Sequence, residues 1–185
     1  MKGKLRIGVS ACLLGQEVRY DGGHKRNRWI TETLGARAEF VPVCPEVEIG
    51  LGTPRPPIRL ERHGRGGLRL VDSASGTDLT DRMERFAESR VRALERQDLD
   101  GYILKAGSPS CGIDRVKVRT GRPGAPRKSG RGLFAAALLR GLPLLPVVDE
   151  VHLADPRLRE EFLARVLARH LLRTGAGGGR GRKPR

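Results

Sequence analysis

The amino-acid sequence predicts an α/β fold in which a mainly parallel sheet carries helices on both faces. Short apolar runs typical of buried strands alternate with longer segments whose apolar residues recur at helical spacing. The 185 residues suffice for one domain with a sizeable core, and that core is mainly aliphatic because only 4% of the residues are aromatic. The predicted architecture is three-layered and Rossmann-like or flavodoxin-like.

Four apolar runs are predicted to form the sheet: residues 5–10 (LRIGVS), 38–43 (AEFVPV), 101–105 (GYILK) and 144–148 (LLPVV). Pro146 moves the last run towards an edge, because proline donates no ladder hydrogen bond. A small edge strand is expected at 68–72. Segments 49–67 and 119–131 are predicted to be loops, since both are dense in glycine and proline.

The predicted helices cover residues 28–34, 80–96, 132–139 and 156–172. Thr80 is the expected N-cap of the second helix. Asp155 is the expected cap of the last helix, with Pro156 in its first position. A single domain of residues 1–172 is therefore expected, followed by a Gly/Arg-rich tail, residues 173–185, that we expect to be disordered.

The formal net charge of +15 favours contact with anions, and nucleic acid is the first candidate. Weak RNA contact is expected through the tail and the basic loop 119–131. No apolar run approaches the ~20 residues that span a bilayer, and the N-terminus lacks the apolar region of a signal peptide. We therefore expect a cytoplasmic protein without a membrane partner, in which thiols stay reduced.

All the cysteines, Cys12, Cys44 and Cys111, lie in Gly-, Pro- or Ser-rich segments that follow predicted strands. A lone cysteine in a core strand would simply be a small buried apolar residue. In open α/β sheets, however, the loops at the carboxyl ends of parallel strands meet at one edge, where ligands bind. The topology therefore predicts that the three thiols converge.

The residues alone leave several kinds of thiol site open. Zinc usually shows paired CxxC or histidine spacing, which is absent here, and His24 or His63 would have to supply a fourth ligand. A catalytic Cys12–His24 pair leaves Cys44 and Cys111 without a role. An iron–sulfur cluster normally takes four thiolates, so three would leave one iron open as a Lewis acid for soft substrate sulfur.

Three motifs carry a resemblance: SACLLGQEVRYDGGHKRN, PVCPEVEIGLGTPRPP and LKAGSPSCG. Together, and in this order, they resemble the DUF523 family, whose characterised members are thiouracil desulfurases. The resemblance covers residues 5–150 and implies that Cys12, Cys44 and Cys111 hold a [4Fe-4S] cluster with one open iron. It further implies non-redox hydrolysis of a thiolated pyrimidine, which yields hydrogen sulfide and the oxo product, with Glu46 and Ser108 as the acid/base pair.

Neighbouring residues compete for the acid/base roles. Glu48 is an alternative base to Glu46, because residues two apart in an extended segment face the same side. Ser110 is an alternative to Ser108, or a substrate contact.

Polar residues near the cysteines are candidate contacts for a pyrimidine, which offers carbonyl acceptors and N–H donors. They are Arg19, Tyr20 and Asp21 in the first motif, although Asp-Gly-Gly is also an ordinary turn signal. Arg55 is a candidate anion contact, and Lys105 can bias the local charge towards thiolates.

The sequence leaves two other functions open. One is a cluster-dependent enzyme acting on thiolated nucleosides or tRNA, for which the basic surface would help. The other is a non-enzymatic nucleic-acid-binding protein with structural or zinc-bound cysteines.

Overall fold

The structure, a computed structural model, describes residues 3–62, 66–120 and 125–175. In these ranges the strands are β1 (Leu5–Ser10), β2 (Ala38–Val43), β3 (Ile58–Arg62), β4 (Leu68–Asp72), β5 (Gly101–Leu104), β6 (Val116–Thr120), β7 (Arg127–Gly130) and β8 (Val147–Asp149). The α-helices are α1 (Pro45–Glu48), α2 (Thr80–Glu95), α3 (Leu133–Gly141) and α4 (Pro156–Gly175). A π-helix covers Trp29–Leu34, and 3-10 turns cover Ala11–Leu14 and His152–Ala154.

The first sheet has the strand order β2-β1-β5-β8, and each neighbouring pair is parallel. Leu5 pairs with Ala38, and Ile7 pairs with Gly101. The central strands β1 and β5 read as nearly continuous apolar runs because both faces of the sheet are covered there. The α/β class and its parallel sheet are thus confirmed, with β8 beginning at Val147 rather than at residue 144.

Side chains of β5 alternate between the two faces of this sheet, and each face has its own helices. Tyr102 and Leu104 belong to the buried cluster formed with α2 and α3, which includes Phe134. Ile103 belongs to the opposite cluster, where it packs with Phe162 of α4. These two clusters give the three layers that the sequence predicts.

A second sheet, of order β4-β3-β6-β7, is mixed: β3–β4 and β6–β7 are antiparallel, and β3–β6 is parallel. It corrects the prediction of loops at 49–67 and 119–131, because β3 lies in the first segment and β7 in the second. Ile58 and Leu60 are buried on one side of β3, so this segment is a half-buried strand despite its glycine-rich surroundings.

Two helix ends differ from the predictions. Thr80 does not cap α2 but begins it, and its amide donates to Oδ1 of Asp78 at 2.9 Å. Asp155 does cap α4, since its Oδ1 accepts a 2.8 Å hydrogen bond from the amide of Arg157. That helix continues to Gly175. No helix in the described ranges has the length and apolar character needed to cross a bilayer.

One buried carboxylate fastens the last helix to the amino end of β5. Asp100 is fully buried and accepts hydrogen bonds from the amide of Arg6 at 2.8 Å and from Nε of Arg173 at 3.0 Å. His170 Nδ1 lies 2.9 Å from the same carboxylate. Arg173, the first residue of the predicted tail, is thus part of α4 and binds the core carboxylate. The rest of the predicted tail, residues 176–185, lies outside the described residues.

Candidate functional site

Three loops at the carboxyl edge of the first sheet bring the cysteines together. Cys12 lies in the 3-10 turn after β1, Cys44 stands between β2 and α1, and Cys111 lies in the loop after β5. All three line one cavity of about 220 Å³. The parallel topology therefore converges the thiols at the edge where the sequence predicts them.

Most of the other predicted site residues line the same cavity: Arg19, Tyr20, Glu46, Arg55, Lys105 and Ser108. Asp21 and Ser110 do not line it, but each holds a residue that does. His63, a conceivable fourth zinc ligand, lies outside the described residues.

Burial dominates the chemistry of the thiols. It raises the pKa of Cys12 to about 11, an effect that repulsion from Cys44 adds to and the Lys105 ammonium opposes. Burial also raises the pKa of Cys44, and it raises that of Cys111 well above the usual range in spite of a hydrogen bond from Ser10. Burial therefore favours the neutral thiol form of all three free cysteines.

This electrostatic setting does not suit a catalytic Cys12–His24 pair. A nucleophilic cysteine has a lowered pKa, whereas that of Cys12 is raised. His24 does not line the cavity, and its Nδ1 accepts a hydrogen bond from the amide of Arg26 at 3.2 Å.

The three cysteines offer thiol ligands to one shared cavity. Within the part of the chain that the structure describes, no three His, Cys, Asp or Glu side chains lie close enough to hold one metal ion. Soft thiolates bind zinc, copper(I) or iron–sulfur clusters, and a cluster is the group that distributes its ligands over several metal atoms.

Glu46 is held by two partners, Arg55 on the cavity wall and Ser110 outside the cavity lining. Its Oε2 accepts from Nε and Nη2 of Arg55 at 3.1 and 2.7 Å, and its Oε1 accepts from the Ser110 hydroxyl at 3.0 Å. The Glu46 side chain is 14% exposed and that of Arg55 only 3%. A half-buried, oriented carboxylate on the cavity wall is what general-base chemistry requires. Arg55 pairs within the protein and is therefore not the free anion contact that the sequence suggested.

Ser108 combines a structural contact with access to the cavity. Its hydroxyl oxygen accepts from the amides of Ser110 and Cys111, both at 3.1 Å. These two bonds occupy the lone pairs of the oxygen, so the O–H remains as a donor. Ser110, in contrast, is fully buried and donates its own O–H to Glu46. Of the two hydroxyls, Ser108 is the one on the cavity wall.

Glu48, the alternative base, does not line the cavity. Its Oε1 accepts from the amide of Cys44 at 3.1 Å, and its Oε2 pairs with Nε of Arg90 at 3.1 Å. The segment is the helical turn α1 and not an extended chain, so residues two apart diverge. This is why the expected equivalence of Glu46 and Glu48 does not hold.

The first motif forms one side of the cavity. Arg19 binds Asp21 through Nε and Nη2, at 3.2 and 2.9 Å, and its guanidinium lies 5.3 Å from the centre of the Tyr20 ring. Asp21 also accepts from the amide of Gly23 at 3.1 Å, the turn contact that Asp-Gly-Gly predicts. Asp21 thus orients Arg19, while Arg19 and Tyr20 face the cavity.

Two residues that the sequence analysis did not single out complete the site. Ser10 is 2% exposed, and its hydroxyl accepts from the amide of Lys105 at 3.0 Å and bonds Cys111. Glu150 pairs with the Lys105 ammonium and accepts from the amide of Ala106 at 2.7 Å. Ser10 is the last residue of β1, and Glu150 directly follows β8. A polar residue at the carboxyl end of a core strand is the sequence signal that would have identified them.

Comparison with known proteins gives consistent matches. The family model described as 2-thiouracil desulfurase matches residues 7–150. The uncharacterized protein YbbK of Bacillus subtilis (strain 168) is 32% identical over 137 residues, which are 71% of this chain and 88% of that protein. The solved structure of the [4Fe-4S]-dependent thiouracil desulfidase TudS matches with a TM-score of 0.66 and 39% identity, covering 87% of this chain and 99% of TudS.

Proposed function

The chain belongs to the 2-thiouracil desulfurase family, and on that premise we propose that it hydrolyses a thiolated pyrimidine such as 2-thiouracil. The C=S group becomes C=O, water supplies the oxygen, and the sulfur leaves as hydrogen sulfide without net redox change. The observation that carries the proposal is the cavity in which three strand-end cysteines meet Glu46 and Ser108. As a C–S bond-cleaving enzyme, the chain does not fit the non-enzymatic interpretation that the sequence left open.

Cys12, Cys44 and Cys111 are the proposed ligands of a [4Fe-4S] cluster, the group on which the similar TudS depends. With three protein ligands, such a cluster would leave one iron open, and this iron would act as a Lewis acid towards the substrate sulfur. Two cations on the cavity wall, Lys105 and Arg19, lower the pKa of Cys12 and so favour its thiolate, the form that binds a metal.

Glu46 is the proposed base. Its half-buried carboxylate takes a proton from the water that attacks the carbon bonded to sulfur. Ser108 is the proposed acid, because its oxygen already accepts two amide bonds and its O–H is left to donate towards the substrate. General acid–base catalysis of this kind typically contributes about 10²–10⁴-fold to the rate.

Arg19 and Tyr20 are the proposed substrate contacts at the cavity wall. The Tyr20 side chain is 43% exposed and offers an aromatic face for the pyrimidine ring. The Arg19 guanidinium, oriented by Asp21, can donate to a ring carbonyl. Ser110 is fully buried and does not line the cavity, so it is not a proposed substrate contact and acts only by binding Glu46.

Anaerobic reconstitution with iron and sulfide tests this function. We expect about four iron and four sulfide per chain, and stoichiometric release of sulfide and uracil from 2-thiouracil. Turnover in water enriched in heavy oxygen should place the label in uracil. If reconstituted protein carries the cluster but releases no sulfide, 2-thiouracil is not its substrate. Unlabelled uracil would contradict hydrolysis.

The same assay separates the substrate classes. The free base, the thiolated nucleoside and thiolated tRNA are compared at equal concentration, and we expect the free base to have the highest kcat/KM. A preference for tRNA that falls with rising salt would support the RNA-directed alternative instead.

A further inference from the structure

A single buried arginine joins two of the three motifs. Arg55 lies in the loop after α1, and its side chain is 3% exposed. A guanidinium carries five N–H donors and no acceptor, and a buried one must have all of them satisfied. The contacts of Arg55 show where each donor goes.

All five donors of Arg55 meet acceptors within the protein. Nε and one N–H of Nη2 bind Oε2 of Glu46, and the other N–H of Nη2 binds the carbonyl of Val18 at 2.9 Å. Nη1 binds the carbonyl of Gly52 at 2.7 Å and the hydroxyl of Thr53 at 3.3 Å. No donor is left for a substrate.

The two oxygens of Glu46 are therefore unequal. Oε2 accepts two guanidinium bonds, which fill both of its lone-pair positions. Oε1 accepts one bond, from the buried Ser110 hydroxyl, and retains one position. Since Glu46 lines the cavity, that remaining position is where a water can be bound and deprotonated.

We propose that Arg55 is a positioning residue that fixes Glu46 so that Oε1, and not Oε2, is the base oxygen. This rests on the proposed function. Arg55 lines the cavity, but protein acceptors take all five of its donors, so it acts through Glu46 and its removal should lower kcat and leave KM unchanged. A lysine offers three donors from one nitrogen and cannot reproduce the fork, so Arg55→Lys should restore the charge but not the geometry.

The carbonyl of Val18 connects Arg55 to Cys44, so a change at Arg55 can also affect the cysteine loops. This carbonyl accepts both from Arg55 and from the Sγ–H of Cys44, at 3.6 Å for the sulfur. The backbone amide of Arg55 also donates to the carbonyl of Tyr20 at 2.9 Å. Iron content must therefore be measured beside activity, because Arg55 variants also touch the frame of the site.

A double-mutant cycle tests the proposal with reconstituted, iron-quantified protein. Arg55→Met should lower kcat about 100-fold, the loss typical of a misplaced catalytic group, with KM unchanged within about threefold. Glu46→Gln should lower kcat by about 10²–10⁴-fold. If Arg55 acts through Glu46, adding Arg55→Met to Glu46→Gln should change kcat less than about threefold further.

Controls separate positioning from folding. Arg59→Met removes a similar ion-paired arginine, bound to Glu61 on β3, and should leave kcat unchanged. Arg55→Lys keeps the charge, so it should load iron like the wild type yet lose about tenfold in kcat. It also serves as the test variant should Arg55→Met fail to fold.

Four results would overturn the assignment. They are multiplicative losses in the double variant, a kcat loss that merely follows iron loss, wild-type kcat in Arg55→Lys, and a rise of KM alone in Arg55→Met, which would show a substrate contact. If the wild-type protein itself releases no sulfide, the proposed function fails instead.

Discussion

Asp100→Asn should destabilise the fold while leaving the cysteine site intact. The carboxylate is fully buried, and Arg173 binds it in a two-pronged contact at 3.0 and 3.1 Å. Removing one partner of a buried ion pair typically costs about 3–5 kcal/mol, and the Arg173 side chain, 28% exposed, recovers part of this by rehydration. We expect a loss of about 2–4 kcal/mol, or a fall in Tm of about 5–15 °C for a chain of this size.

The assay is thermal unfolding of the unloaded protein, followed by iron quantification after reconstitution. Asp81→Asn, an exposed carboxylate in the first turn of α2, is the matched control and should change stability by under about 1 kcal/mol. Asp100 precedes β5 and Cys111 follows it, so iron content should stay at the wild-type level. A Tm within about 2 °C of the wild type would refute the reasoning.

The same carboxylate predicts part of the acid sensitivity of the fold. Burial alone would raise the pKa of Asp100, but hydrogen bonds from Arg173, Arg6 and His170 outweigh it and lower the pKa. A carboxyl with a lowered pKa in the folded state stabilises the protein above its unfolded value of about 3.9, and this contribution disappears as pH falls through the folded value. As pH falls into the acid range, the free energy of unfolding should therefore decrease less for Asp100→Asn than for the wild type.

Three further predictions concern the cavity. Glu48→Gln should keep kcat within about threefold of the wild type, because Glu48 does not line the cavity, whereas Glu46→Gln should lose about 10²–10⁴-fold; equal losses would contradict the assignment. Ser108→Ala should lower kcat and also iron content, since two amides of the Cys111 loop lose their acceptor, and unchanged values of both would reject its role. In the unloaded protein at pH 8, Cys12 should react with iodoacetamide about 100-fold more slowly than a free cysteine, because its pKa is raised to about 11; mass spectrometry of the Cys12 peptide over time gives the rate, and reaction at the free-cysteine rate would contradict the burial.

The first sheet could be predicted because its central strands, β1 and β5, are buried on both sides and therefore read as apolar runs. The same property located the cysteines, since each one follows such a run. The second sheet could not be predicted in this way. Leu60 pairs with Val118 across a long stretch of chain, and only two residues of β3, Ile58 and Leu60, are buried. Neither the pairing nor so short an alternation is visible in a local window.

The candidate site, too, could be predicted only in part from the sequence. The motifs identify Cys12, Cys44, Cys111 and Glu46 as residue types that suit the chemistry, but they say nothing of which contacts hold them. That Glu46 is bound by Arg55, and that Glu48 belongs to a helical turn, follow only from the folded backbone. Contacts between motifs depend on how three strand ends are brought together, and that is a property of the sheet and not of any one segment.

The loops around the cavity are held by hydrogen bonds within the protein, and these bonds bear on how a cluster would be loaded. Arg55 spans the first and second motifs with bonds that involve protein groups alone, and Ser10 and Glu150 fix the start of the third through Lys105 and Ala106. Small zinc domains, in contrast, obtain their fold from the metal itself. Because these loops are held by contacts within the protein, loading of the proposed cluster would not have to order them. It would have to deprotonate thiols whose neutral form burial favours, and the cations Lys105 and Arg19 reduce that cost at Cys12.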